Sequence, residues 1–464
     1  DSNGSYWCVI TNRQGDDNST VATLGVAGAQ TQFTSQVVSL AARTGDVASA
    51  GGTGPMPERI WFADGSPDGF RVRRANKDAI GNGVFTTIAG GGVMSLNAMS
   101  KASPDLAGLA TQGRFSHIAD IAVDGGDLSN DSRVFIAGET DKVFMLENNG
   151  TLTLVAGGGT LDNNGTVINA LDVDLGDVIS VAADKDGTNF YVADYNGSAD
   201  SYHISRVDRA SGNITRIIGN PSGPWDMDVN ATNAALCRIT NIDDIAVDDT
   251  GAIYFGDNER GIVMKKLPTG AGLVKIAGLP GSFGVAEAVD GALATTGKVA
   301  VQSIAVDALG RPYIAGKPTI IGGADHRVRR LDFNGTHYFV NTVAGGGLMN
   351  IDINGTLFAS QVDLPNVTEV CIDSDLNVFF GDVNATESRI WEVNGKPDSP
   401  LPWVDGQIVY IVDYAPPPPS APTPPPADGP DTVLAGNTYK TRIIGGRTWM
   451  AESLYTTTPD NAGS

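Results

Sequence analysis

Short apolar runs, each ended by a polar turn, repeat six times along this chain. No window of 11–18 residues shows the sustained 3.6-residue spacing of an amphipathic helix. The fullest copy reads Ile245-Ala246-Val247-Asp248, then Asp249-Thr250-Gly251, then Ile253-Tyr254-Phe255-Gly256-Asp257, and closes on Ile276-Ala277-Gly278. The apolar run ending in Asp recurs at Asp124, Asp184, Asp307 and Asp373. The closing Gly recurs at Gly90, Gly157, Gly219 and Gly345, so successive copies lie 59–67 residues apart. The first unit is the least regular: its opening strand is expected at Val37–Ala41, followed by a Gly-rich insertion at 44–54.

Each unit has room for four short strands. The first is apolar throughout, as a strand buried on both faces requires. The second ends in Asp64, Asp194, Asp257 or Asp382, with Gly138 and Gly316 in the other two units. The third alternates basic and apolar residues, as in Arg71-Val72-Arg73-Arg74 and Arg327-Val328-Arg329-Arg330, and is expected to turn its basic face to solvent. Asn-Gly, Asp-Gly and Ser-Gly turns between runs are hairpin chemistry. A unit that cannot bury its apolar face alone must stack on copies of itself. The expected fold is therefore all-β, a six-bladed β-propeller of four-stranded blades.

The run Ile-Ala-Val-Asp, then Gly-x-Ile-Tyr-Phe-Gly-Asp, then Ile-Ala-Gly, resembles the NHL repeat family of propellers, over residues 36–414 or so. At the N-terminus, Tyr6-Trp7-Cys8 followed by an alternating strand resembles the last hairpin of an immunoglobulin-like domain. That resemblance implies that Cys8 pairs with a cysteine outside this chain segment. Near the other end, Tyr439-Lys440-Thr441 and Thr448-Trp449-Met450-Ala451-Glu452 resemble the opening of the Fibrobacter major paralogous domain, a family of surface and secreted proteins. The expected organisation is an immunoglobulin-like tail at 1–28, the propeller at 29–414, a Pro-rich linker at 415–431 and a partial Fibrobacter-type domain at 432–464. The linker, with Pro416–Pro419 and Pro424–Pro426, suits a stiff polyproline II spacer and is a candidate for O-glycans.

The charge narrows the partners. A net charge of −22 disfavours nucleic acid, which needs a basic stripe, and no apolar run is long enough to cross a membrane. Asn-x-Ser/Thr sequons begin at Asn3, Asn18, Asn130, Asn149, Asn164, Asn196, Asn213, Asn230, Asn334, Asn354, Asn366 and Asn384. Their number, often in Asn-Gly-Ser/Thr turns, points to N-linked glycans and an extracellular or cell-surface location.

Candidate chemistry is sparse. The inner aspartates Asp124, Asp184, Asp248, Asp307 and Asp373 recur once per unit and form a weak candidate set for calcium. The alternative is that each accepts backbone N–H groups in its own turn. His117, His203, His326 and His337 do not recur at one repeat position and are expected in loops or on the surface. Cys371 is expected to be a buried free thiol, and Cys237 and Cys371 fall in units that are not ring neighbours. No catalytic residue set and no cofactor is expected. The combination of propeller, immunoglobulin-like tail, sequons and Pro-rich spacer resembles the coats and mastigoneme-type hairs of flagellate algae. That resemblance implies a non-enzymatic structural or adhesive module of a large extracellular glycoprotein, self-associating into a filament, coat or mastigoneme-like appendage or docking other surface glycoproteins. Two alternatives are a ligand-binding receptor ectodomain and a calcium-dependent propeller hydrolase or lyase.

Overall fold

The structure is a computed structural model. Its description covers residues 36–43, 59–66, 69–76, 84–124, 133–197, 201–223, 233–257, 260–279, 288–316, 326–350, 358–364, 366–373, 376–383, 388–394, 407–413, 428–434, 437–444 and 447–450. The expected immunoglobulin-like hairpin with Cys8, the Gly-rich insertion and the Pro-rich run lie outside these residues. The chain divides into two compact units, 33–415 and the two terminal stretches 1–32 and 416–464. Within the second, Asp428–Leu434, Asn437–Ile444 and Arg447–Met450 pair as a three-stranded antiparallel sheet.

The unit 33–415 is a six-bladed β-propeller. Blade one is Gln36–Arg43, Arg59–Ser66, Gly69–Asn76 and Val84–Gly90. Blade two is Ile118–Val123, Val134–Gly138, Lys142–Leu146 and Leu152–Gly157. Blade three is Asp177–Ala183, Asn189–Asn196, Ser201–Asp208 and Asn213–Ile218, extended at its outer edge by Ile168–Asn169. Blade four is Asp244–Val247, Ile253–Asp257, Ile262–Lys266 and Leu273–Ala277. Blade five is Ser303–Val306, Pro312–Gly316, Arg327–Phe333 and Tyr338–Gly345. Blade six is Val367–Ile372, Val378–Val383, Ser388–Asn394 and Gln407–Asp413. Strands within a blade follow one another in order and run antiparallel.

The six first strands touch in sequence, and that of blade six returns to that of blade one, so the ring is closed. Closure removes the inner sheet edges from solvent. The apolar core lies between blades. Trp61 and Phe115 pack with Ile136 and Phe144 between blades one and two. Phe135 and Phe190 stack at 4.8 Å between blades two and three.

The repeated closing glycine has a steric cause. Gly90, Gly157, Gly219, Gly278 and Gly345 all have φ between 80° and 96°. A Cβ there would lie 2.0–2.4 Å from a carbonyl oxygen at the start of the neighbouring third strand. Only glycine fits a left-handed residue pressed against backbone.

Candidate functional site at the propeller axis

In blades two to six the residue just before the apolar motif, not the aspartate after it, lines the axis. Ser39, Asp120, Ser180, Asp244, Ser303 and Glu369 occupy one register position, opposite Ala63, Ala137, Ala193, Gly256, Ala315 and Gly381 on the second strands. Serine and acid alternate around the ring. In blades two, three and six a bulge precedes this residue; a bulge re-aims the side chain that follows it. Asp120, Asp244, Ser303 and Glu369 border a small cavity of about 150 Å³ on the axis.

These side chains tie blade to blade. Asp120 of blade two accepts from Ser180 Oγ at 2.8 Å and Val181 N at 2.8 Å in blade three. Asp244 of blade four accepts from Ile304 N of blade five at 2.8 Å and lies 2.7 Å from Ser180 Oγ. Val370 N of blade six donates to Ser303 Oγ of blade five at 3.2 Å. Acceptors thus reach backbone N–H groups on inner strands that have no further strand to pair with.

Ser180 has one hydroxyl proton and two carboxylate neighbours. It can donate to only one of them, so the other short contact needs a proton on a carboxyl group. Asp244 is the natural holder. Burial, followed by the charge of Asp120, pushes its pKa up to about 7. Glu369 is raised well above the usual carboxylate range by burial and then by Asp244 and Asp120, against a hydrogen bond from Ser303. Like charges crowded in a poorly hydrated space hold protons that exposed carboxyls release. Ser180 Oγ thus links two carboxyl groups that can hold one proton between them, Asp244 and Asp120.

The five aspartates singled out in the sequence sit elsewhere, each at the far end of its first strand and engaged in the turn that follows. Asp124 accepts from Arg133 N and Nη1, both at 2.8 Å. Asp184 accepts from Asn189 N at 3.0 Å and Thr188 Oγ1 at 2.9 Å. Asp248 accepts from Thr250 N at 2.9 Å, Ala252 N at 3.0 Å and Tyr254 Oη at 2.9 Å. Asp307 accepts from Leu309 N at 2.9 Å and Arg311 Nε at 2.6 Å. Asp373 accepts from Asn377 N and Nδ2, both at 2.8 Å. Among the described residues, no group of three or more His, Cys, Asp or Glu side chains is arranged to hold a metal ion.

Two expectations need correction. The basic third strands are not uniformly solvated: Lys142, Arg329 and Arg330 are buried, and Arg330 Nε bonds Asp332 Oδ1 at 2.7 Å. Lys142 Nζ likewise pairs with Asp141 Oδ1 at 2.7 Å, and an acidic neighbour offsets the cost of burying each of these two charges. Nor are the histidines all superficial, since His203 and His326 are buried. His203 stands between Ser201 Oγ, 2.9 Å from its Nε2, and Asp194 Oδ2, 3.6 Å from its Nδ1. The order is that of a hydrolytic triad, but Ser201 is 0% exposed. A nucleophile must reach its substrate, and this one is sealed between blades. Burial raises the pKa of Asp194, and the hydrogen bond to His203 opposes that rise. Cys237 and Cys371 are both buried thiols that stand outside any disulfide, and Cys237 Sγ donates to Asn233 O at 3.2 Å.

Six sequon asparagines fall within the described residues. Asn149, Asn164 and Asn334 are exposed, and Asn196, Asn213 and Asn366 are half-exposed. Asn149, Asn213 and Asn334 lie at third-to-fourth hairpin turns at one end of the ring. Asn196, at a second-to-third turn, and Asn366, just before a first strand, lie at the other end.

No protein-family profile matches this chain, and no curated protein does. Among solved structures it is similar to XC5397 from Xanthomonas campestris, described as a gluconolactonase important in glucose secondary metabolic pathways. Identity is 13%, the match covers 68% of this chain and 81% of that one, and the TM-score is 0.35. The propeller class rests on the strand topology above, and this match carries no functional argument.

Proposed function

We propose that this chain is a non-enzymatic structural or adhesive module of a large extracellular glycoprotein, in which the closed propeller is a rigid scaffold and docking platform. The whole protein would be a subunit of a surface filament, coat or mastigoneme-like appendage. One observation carries this reading: none of the six described sequon asparagines is buried, and they occupy both ends of the ring. Asn163, next to the exposed Asn164, is buried against Ser205 Oγ at 2.7 Å and starts no sequon. These six sequons thus sit where a glycan can be carried without disturbing the core. A surface of net charge −22 carrying glycans stays hydrated and resists collapse onto its neighbours.

The test is electron microscopy and glycopeptide mapping of the full-length protein from its native source. Repeating chain-to-chain contacts and occupied sequons are expected. A sugar-free, monodisperse monomer at high concentration would overturn the proposal.

A further inference from the structure

Two grooves on the propeller share one construction. The larger, about 1130 Å³, lies between blades four and five. The smaller, about 280 Å³, lies between blades one and two. Each is walled on one side by the third-to-fourth hairpin turn of the later blade, and each of those turns carries a sequon: Asn334-Gly335-Thr336 in the first and Asn149-Gly150-Thr151 in the second.

The walls are unusually apolar for solvent. Leu309 is 66% exposed and Phe333 55% exposed in the larger groove, and Leu109 is 57% exposed in the smaller. Phe333 directly precedes Asn334 and packs on Tyr338 across the hairpin, ring centroids 4.8 Å apart. Leu109 touches the Asn149 turn, where a Cβ on Gly150 would lie 3.2 Å from Leu109 Cδ2. Polar side chains, Asp249, Lys275 and Thr295, share the larger groove. Apolar side chains beside polar groups suit a pyranose, which has a C–H face and a hydroxyl rim.

Both asparagines are held in the same way. Asn334 Oδ1 accepts from Thr336 N at 3.0 Å and His337 N at 2.9 Å. Asn149 Oδ1 accepts from Thr151 N at 2.8 Å, and its Nδ2 makes a long contact of 3.5 Å to Glu147 Oε2. The side-chain carbonyl is committed to the turn, which fixes the direction of the amide and so of anything attached to it.

We infer that the N-glycans of Asn334 and Asn149 fold back into these inter-blade grooves and cover their apolar walls, acting as covalently tethered packing between blades. This rests on the reading of the chain as a secreted glycoprotein. The glycan bond forms between Nδ2 and the anomeric carbon of a lipid-pyrophosphate-linked oligosaccharide. The amide loses one proton and the lipid pyrophosphate leaves, so one N–H remains on Nδ2, enough for the Asn149 contact to Glu147. Because the sugar is tethered, its local concentration at the groove is high and weak contacts suffice.

The experiment uses the full chain secreted from a glycosylating eukaryotic host. Glycopeptide mass spectrometry first reads occupancy at Asn334 and Asn149. Hydroxyl-radical footprinting then compares Phe333, Leu309 and Leu109 before and after enzymatic glycan removal from the folded protein. Removal is expected to raise labelling of these three side chains at least threefold, and to leave labelling beside Asn164, which lines neither groove, unchanged. Thr336→Ala should reproduce the effect at Phe333 and Leu309 alone, while Thr336→Ser keeps the sequon and the protection. Full occupancy with unchanged labelling overturns the inference and leaves the glycoprotein reading standing. Unoccupied Asn334 and Asn149 overturn the inference; if the other sequons are bare as well, the reading beneath it falls too.

Discussion

Ser180 Oγ stands 2.7 Å from Asp244 Oδ1 across the boundary between blades three and four. The same oxygen lies 2.8 Å from Asp120 of blade two. One serine therefore joins three consecutive blades at the axis, and it does so through a proton that two carboxyls compete for.

The pH dependence follows from Asp244. Its pKa in the folded protein, about 7, lies above the value of 3.8 for a free aspartate. The folded state thus binds more protons than the unfolded one between these limits, and stability falls as pH rises through that window. The melting temperature should drop between pH 5 and pH 8. Asp244→Asn keeps an acceptor for Ile304 N and a donor toward Ser180 but gives up the acceptor that Oδ1 offers Ile245 N at 2.7 Å, so it should flatten the drop with pH while costing stability at pH 5. Calorimetry across pH reads both; an unchanged slope in the variant would refute the assignment of the proton.

Ser180→Ala removes the shared hydroxyl and leaves two carboxyls facing each other. The expected cost is about 1–3 kcal/mol, larger at pH 8 than at pH 5 because both groups are then charged. Urea denaturation at the two pH values measures it.

The closing glycines can be separated from ordinary turn glycines. Gly157 and Gly270 share φ of 83°. A Cβ at Gly157 meets Asp141 O at 2.0 Å, while nothing lies within 4 Å of one at Gly270. Gly270→Ala should cost about 1–2 kcal/mol, the left-handed penalty alone. Gly157→Ala adds a backbone clash and should cost at least about 3 kcal/mol or prevent soluble expression.

Asp248 tests the turn role against the calcium role. Its carboxylate serves Thr250, Ala252 and Tyr254, so Asp248→Ala should cost about 2–4 kcal/mol. Millimolar calcium or a chelator should leave the wild-type melting temperature unchanged. A calcium-dependent rise of several degrees would revive the hydrolase or lyase alternative.

The sequence by itself determined the number of blades, the order of strands within each and the place of the closing glycines. These follow from local rules: apolar runs of strand length, turn residues between them and a backbone angle only glycine tolerates. The sequence also carried the alternation of Ser39, Asp120, Ser180, Asp244, Ser303 and Glu369 in plain view, one residue before each motif. It was not legible as a site, because a column of serines and acids reads as polar strand-start residues until the closed ring brings the first strands to one axis. Likewise His203 and Arg330 looked like surface residues, since alternation shows which residues share a face but not whether the next blade covers it. The tertiary structure alone decided that Asp120, Ser180 and Asp244, some sixty residues apart in turn, meet within hydrogen-bonding distance. Ring closure is the physical reason: it brings six distant strand edges to one axis, where burial and mutual charge, not sequence neighbours, set the chemistry.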